Sequence, residues 1–416
     1  METTRTGSRR AGTGTPQRGV ESRTRVRGAG WAALAAGLSA AMRTGSAGTG
    51  EAPPLDRAAL RRAVDGMTAG GVTGAVVRVA GADGHWWGTT GTGDLMTGER
   101  ARTDGLLRAG GISALFIGTL VLQLAGEGLL SLDAPVRDHL PDLLPGGPDG
   151  YDAVTVGMLL DHTSGLPGPH SSAFRSPGEA VEAALRGGGR AFAPGEHQQE
   201  NDVNTWLAAL VVERATGRPL TRELRERITR PLGLCHTRCV RAGAHEAGVR
   251  PGDAGVLEAT AGRGGECAGG MVSTAADLDR FLDALLGGRL LAPAQQRLLF
   301  ELPEPGVTTP PGTGTGAGGR AGGTGPGAPA EGPMPRRISR GGLTRVVLPD
   351  GTPDGTVVWG RAGTGPGYVN GLFGTRDRTR RLACSLNRAD PPGPDGERHV
   401  DDLIRAAFTA GRQAGG

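Results

Sequence analysis

Residues 107–136 read LRAGGISALFIGTLVLQLAGEGLLSLDAPV. Between Gly111 and Leu130, the apolar residues Ile112, Leu115, Phe116, Leu120, Leu122 and Leu124 leave almost no polar face. A helix that is apolar nearly all round is buried on most sides. The segment is therefore expected at the centre of a folded domain. Neither here nor elsewhere do eighteen apolar residues run together, so no membrane-spanning helix is expected.

Working outward, a helix is expected from Leu55 to Met67. Gly74 to Trp87 alternates about a Gly-Ala-Asp-Gly turn and reads as a hairpin, with Trp86 and Trp87 in its core. Further helices are expected over Val203–Thr216, ended by Gly217, and over Thr274–Leu286. Short strands follow at Leu343–Leu348, Thr356–Ala362, Gly367–Phe373 and Arg381–Leu386, then a helix from about Val400 to Ala410. Strands at both ends around a helical middle give an α+β layer with an inserted helical domain. Residues 304–333 form a Pro/Gly/Thr/Ala tract without periodicity and read as a flexible insertion. Residues 1–53 carry few apolar anchors and read as a disordered tail. Within them Gly28–Met42 follows arginines and precedes Ser46-Ala47-Gly48, the order of a secretory signal. Secretion and a cytoplasmic location both stay open.

Composition removes several chemistries. The 416-residue chain has no lysine, and all 46 of its basic residues are arginine, the bias of a GC-rich bacterial genome. No lysine base, Schiff base or phosphate-binding lysine can operate. Residues 1–27 hold seven arginines and two glutamates, a net of +5; the whole chain is +4, so the remainder is −1. A nucleic-acid partner calls for positive charge on the folded surface, so that class is set aside. The four cysteines are Cys235, Cys239, Cys267 and Cys384. The Cys235-His236-Thr237-Arg238-Cys239 run lacks a second ligand pair at metal spacing. Core thiols or one disulfide remain open, and no metal or organic cofactor is implied.

Several stretches, taken in order, resemble the serine β-lactamases and D-alanyl-D-alanine carboxypeptidases, on the class C and esterase side. They are Leu107-Arg108-Ala109-Gly110 with Gly128–Val136; Val156–Pro167, which contains Asp161-His162-Thr163-Ser164-Gly165; and Pro194-Gly195-Glu196 before the helix ending Val212–Gly217. Pro231–Leu234 and Ala268–Ala275 follow. The resemblance covers about residues 55–303 and 334–410. It implies an antiparallel sheet flanked by helices, in one domain over 54–303 and 334–412 with a helical subdomain at about 112–260.

That family's chemistry needs three short motifs, and all three are altered here. The first is Ser-x-x-Lys, whose amine lies one turn from the serine and takes its proton. The matching residues are Gly111 and Ala114. The second is Tyr-x-Asn, here Glu200-Asn201-Asp202. The third is Lys-Thr-Gly or His-Thr-Gly, here Arg361-Ala362-Gly363. The chain is thus expected to be a degenerate member, neither a working serine β-lactamase nor a DD-peptidase.

The replacements offer other chemistry. Glu200, Asp202 and Arg361 take positions that converge on one pocket in the family, and His197 lies three residues before Glu200. Two carboxylates and a guanidinium can move protons and grip a substrate carboxylate. Gly111 and Ala114 are expected to empty the pocket floor for a larger ligand. Structural roles compete. Asp202 reads equally as a helix N-cap, Glu200 as a solvated loop residue, and Arg361 with Glu200 or Asp202 as a salt bridge filling the old site. His162 and His197 read as backbone-satisfied. Three functions stay in play: a repurposed cleft doing non-covalent acid/base work such as cyclisation or isomerisation on a small molecule; a non-catalytic relative binding a cell-wall peptide, a β-lactam or a protein partner; and a hydrolase with a substitute serine. For the last, Ser113 lies roughly 200° round the helix from position 111, Ser164 sits in a structural turn, and no Gly-x-Ser-x-Gly elbow occurs.

Overall fold

The computed structural model describes residues 54–409, apart from 69–70, 95–96, 145–150, 170–175, 188, 240–266, 268–269, 305–335, 350–354, 366 and 389–393. The N-terminal segment and almost all of the 304–333 insertion lie outside the described residues.

Eight strands form one antiparallel sheet in the order β3-β2-β1-β11-β10-β9-β8-β7. They are β1 (Val72–Gly81), β2 (Gly84–Asp94), β3 (Glu99–Arg100), β7 (Arg336–Ile338), β8 (Thr344–Leu348), β9 (Thr356–Gly365), β10 (Tyr368–Thr375) and β11 (Arg380–Arg388). The β1–β2 hairpin forms as its alternation predicts, closing over Ala82 and Asp83 with Gly84 at φ 91°. Trp86 is buried, and Trp87 lies 4.7 Å beneath the Arg78 guanidinium, so the pair serves the hairpin's packing. The first and last strands pair in the middle of the sheet, where Val77 faces Cys384 across β1 and β11. A second sheet, in the order β4-β6-β5, joins β4 (Leu107–Arg108), β5 (Arg238–Cys239) and β6 (Met271–Ser273).

Helices cover both faces of the large sheet. On one face lie α1 (Arg57–Asp65) and the C-terminal helix Pro394–Phe408, whose Leu60, Val64, Leu403 and Ile404 bury against Val77, Val79 and Leu382. On the other lie α2 (Ser113–Gly126), α3 (Pro177–Gly187), α4 (Asp202–Thr216) and α5 (Ala275–Leu286). The expected central helix is α2, with every residue from Leu115 to Leu124 buried. Its one amide, Gln123, donates Nε2–H to the Leu290 carbonyl at 3.0 Å, while its Oε1 is buried with no hydrogen-bond partner among the described residues. Phe116 of α2 stacks on Phe281 of α5 with ring centroids 3.7 Å apart.

Helix ends follow local chemistry. Gly217, at φ 66°, closes α4 by donating its N–H to Glu213. Thr274 caps α5. At the start of α4 the structure corrects the expected cap. Asn201, in extended conformation, accepts from the Val203 N–H, and Asp202 is the first helical residue. The cysteine question is also settled. Cys239 and Cys267 form a disulfide, Cys235 is an exposed thiol, and burial pushes the Cys384 thiol up to about 12.

Replacing wholly buried Phe116 with alanine removes the stacked ring and leaves a cavity, an expected loss of about 3–5 kcal/mol in urea unfolding. Leu129→Ala, at a side chain half exposed to solvent, should stay within about 0.5 kcal/mol of the parent.

Candidate functional site

The floor of the site is a three-residue turn, Gly110–Ile112, that leads into α2. Gly110 has φ 50°, and the Tyr368 ring lies 2.8 Å from where its Cβ would stand, so both conformation and space call for glycine. A Cβ on Gly111 would lie 3.0 Å from the Gly363 Cα, and one on Gly363 only 2.7 Å from the Gly111 nitrogen. The nucleophile position and the third motif are therefore packed backbone to backbone. Ala114, the family's lysine position, faces a cavity of about 10 Å³ shared with Gly118, His162, Thr205, Gly342 and Arg361. That is room for about one water molecule. Among the described residues, this space beside Ala114 does not hold the larger ligand that the loss of two side chains had implied.

Arg361 projects from β9 into this floor and is 3% exposed. Its Nη2 donates to Glu200 Oε1 at 2.6 Å and lies 3.1 Å from His162 Nε2; its Nη1 donates to the Gly342 carbonyl at 3.4 Å. Its Nε is buried with no hydrogen-bond partner among the described residues. Of the residues expected to converge here, Arg361 and Glu200 do so, as an ion pair. Asp202 is exposed on the first turn of α4. His197 stands edge-on to Phe192, 3.6 Å from Glu196.

His162, read from sequence as a backbone-satisfied residue, is the hub. It sits at φ 58° after the short helix Val156–Leu160. Its Nδ1 accepts from the Asn201 N–H at 3.2 Å and faces Asn204 Nδ2 at 3.1 Å. Arg361 approaches the other nitrogen. An arginine only donates, and a neutral imidazole accepts at one nitrogen only. A second ring proton would point at donors, and burial and the Arg361 charge hold the imidazole well below its ordinary range. Next to it, burial lifts the Asp161 carboxyl to about 6, against the hydrogen bonds from the Thr163 hydroxyl and N–H. No sequence signal marked His162 as the hub, since its partner is 199 residues away.

The candidate substitute serines are both buried and engaged. Ser113 donates to the Gly110 carbonyl at 2.6 Å, and Ser164 to Asn204 Oδ1 at 2.6 Å. Among the described residues, no group of three or more His, Cys, Asp or Glu is arranged to hold a metal ion, and no helix is long and apolar enough to cross a membrane.

The family model described as Beta-lactamase matches residues 60–406. Esterase EstB of Burkholderia gladioli is 35% identical over 161 residues, 35% of this chain and 41% of the esterase. A putative D-alanyl-D-alanine carboxypeptidase of Escherichia coli strain K12 is 30% identical over 130 residues, 28% of this chain and 29% of that protein. Each of these alignments spans less than half the length of the curated relative. Among solved structures, the D-stereospecific amidohydrolase of a Streptomyces species superposes with TM-score 0.62 at 26% identity, covering 85% of this chain and 98% of that one. The D-amino acid amidase of Ochrobactrum anthropi SV3 superposes with TM-score 0.64 at 23% identity over 84% and 97%, a likeness of fold.

Asp161 and His162 give opposite pH slopes. The folded protein holds the Asp161 proton more tightly than the unfolded chain, so this group's contribution falls as pH rises from about 4 to 6. His162 must stay neutral on folding, so its contribution falls as pH drops below about 6.5. Asp161→Asn removes only the first slope. Its unfolding free energy relative to the parent is expected to rise by about 2 kcal/mol between pH 4 and pH 7. A difference that stays constant across that range in denaturant titrations would show that this carboxyl does not titrate there.

Proposed function

The chain belongs to the Beta-lactamase family, and we propose that within it this is a non-catalytic member, a scaffold that binds a small molecule or peptide without acylating a serine. The observation that carries the reading is the contact of Gly111 with Gly363. Acyl transfer needs a nucleophile and, beside it, space for a carbonyl. The nucleophile position has no side chain, and the strand that would line the far side of a bound substrate lies against it. The base is absent as well, because position 114 is alanine and no lysine exists in the chain. Relatives named esterase and putative carboxypeptidase and an amidohydrolase fold neighbour support an ester, amide or peptide as the class of ligand.

One observation favours the second reading, a repurposed cleft working non-covalently on a small molecule. Glu200 is 30% exposed, and the buried Arg361 Nε–H behind it has no acceptor among the described residues, so a carboxylate and an unused donor stand together for a ligand that enters. In that case Glu200→Gln and Arg361→Ala abolish turnover. In the non-catalytic reading they alter binding alone.

Intact mass after incubation with a penicillin and, separately, with a fluorophosphonate tests the main reading. The folded protein is expected to show no adduct. A stoichiometric shift, mapped to any serine, overturns it. The double variant Gly111→Ser/Ala114→Lys should also stay unlabelled, since a side chain at 111 meets the Gly363 backbone.

A further inference from the structure

The small sheet β4-β6-β5 stands directly upstream of the closed turn, and a disulfide ties its outer strand to the chain that enters its middle strand. Cys239 ends β5, and Cys267 lies four residues before Met271, the first residue of β6. Cys239 faces Met271 across β5 and β6, and Val272 faces Arg108 across β6 and β4. Met271 then accepts the N–H of Ala109 at 2.8 Å, the residue before Gly110. A path of paired backbone therefore runs from the disulfide to the turn at Gly111. These strands are two or three residues long, too short to fix their own register. At one end Thr237 pins them through the Ser273 hydroxyl and the Asp277 carboxylate, at 2.8 and 3.0 Å. At the other end the pin is the disulfide. Cys267 is wholly buried at φ 92°, a backbone state that a non-glycine residue keeps only when its surroundings impose it.

We propose that the Cys239–Cys267 disulfide is a redox latch on the cleft: closed, it holds the Gly110–Ile112 turn against Gly363; reduced, it lets the turn withdraw and the cleft open. The latch acts on the site described above and rests on the reading that this contact closes the cleft. The reductant is a dithiol. Its thiolate attacks the sulfur of half-buried Cys239, the S–S bond breaks, and Cys267 leaves as a thiolate and takes a proton. The second thiol then displaces Cys239, so the protein gains two thiols and the dithiol becomes a disulfide. Cys267 relaxes from its left-handed backbone, β6 loses its anchor, and the Ala109 bond to Met271 opens. The cleft would be shut in an oxidising compartment and open where dithiols are abundant.

Hydrogen–deuterium exchange on the full chain, with and without dithiothreitol, tests this. Reduction is expected to speed exchange at least tenfold in peptides spanning 107–112 and 356–365. β1, β11 and the later turns of α2 should keep their protection. Cys239→Ser and Cys267→Ser should behave in oxidising buffer as the reduced parent does. Cys235→Ser should respond like the parent, since that exposed thiol takes no part. Unchanged exchange at 107–112 overturns the latch. Acceleration spread equally over β1 and β11 overturns it too, because the bond would then support global stability alone. Fluorophosphonate labelling of the same reduced samples separates the two readings. An adduct there sinks the non-catalytic assignment while a local exchange change keeps the latch.

Discussion

A guanidinium sealed inside the protein sets the conditions for the rest of the site. Arg361 is almost wholly buried on a strand, where a cation must be paired and hydrogen-bonded. Glu200 supplies the charge, Gly342 a carbonyl, and His162 a ring kept neutral. Removing one partner of such a pair leaves an uncompensated buried charge, usually a loss of about 3–5 kcal/mol. The loop carrying Glu200, the turn carrying His162 and the strand carrying Arg361 are thereby tied together. The polar groups at the centre thus hold these three segments to one another.

The second constraint is steric. Glycine at 110, 111 and 363 lets the turn, the Tyr368 ring and β9 approach to backbone contact. A serine at 111 and a substrate beside it would each need the space that contact removes. The Arg361 ion pair and the glycine contact meet at the same place from two sides.

What was legible in the sequence was what local rules decide. The buried helix α2 followed from its unbroken apolar surface, the end of α4 from Gly217, and the β1–β2 hairpin from its alternation and turn. The Arg361–Glu200 salt bridge was among the alternatives that the altered motifs left open. The start of α4 was misplaced by one residue because Asn201 and Asp202 are both good caps, and only backbone conformation separates them. The role of His162, the pairing of Cys239 with Cys267, and the Gly111–Gly363 contact all join residues distant in sequence. No periodicity or spacing reports such contacts. They appear only once the sheet order places β9 beside the turn.

The missing lysine links these observations. An acyl-serine site of this family holds its lysine, whose neutral amine takes the serine proton, on the helix at the position that is Ala114 here. In this chain the cation comes from the opposite wall, as Arg361. An arginine stays protonated at any pH a protein survives, so it can orient and neutralise but cannot accept a proton. The nearest ring nitrogen is on His162, whose lone pair already accepts from the Asn201 N–H and whose burial and facing donors resist protonation. Asp161, lifted to about 6, is buried and turned to Thr163. The centre thus gathers charge and hydrogen bonds around Arg361, beside an imidazole held neutral and a carboxyl turned away.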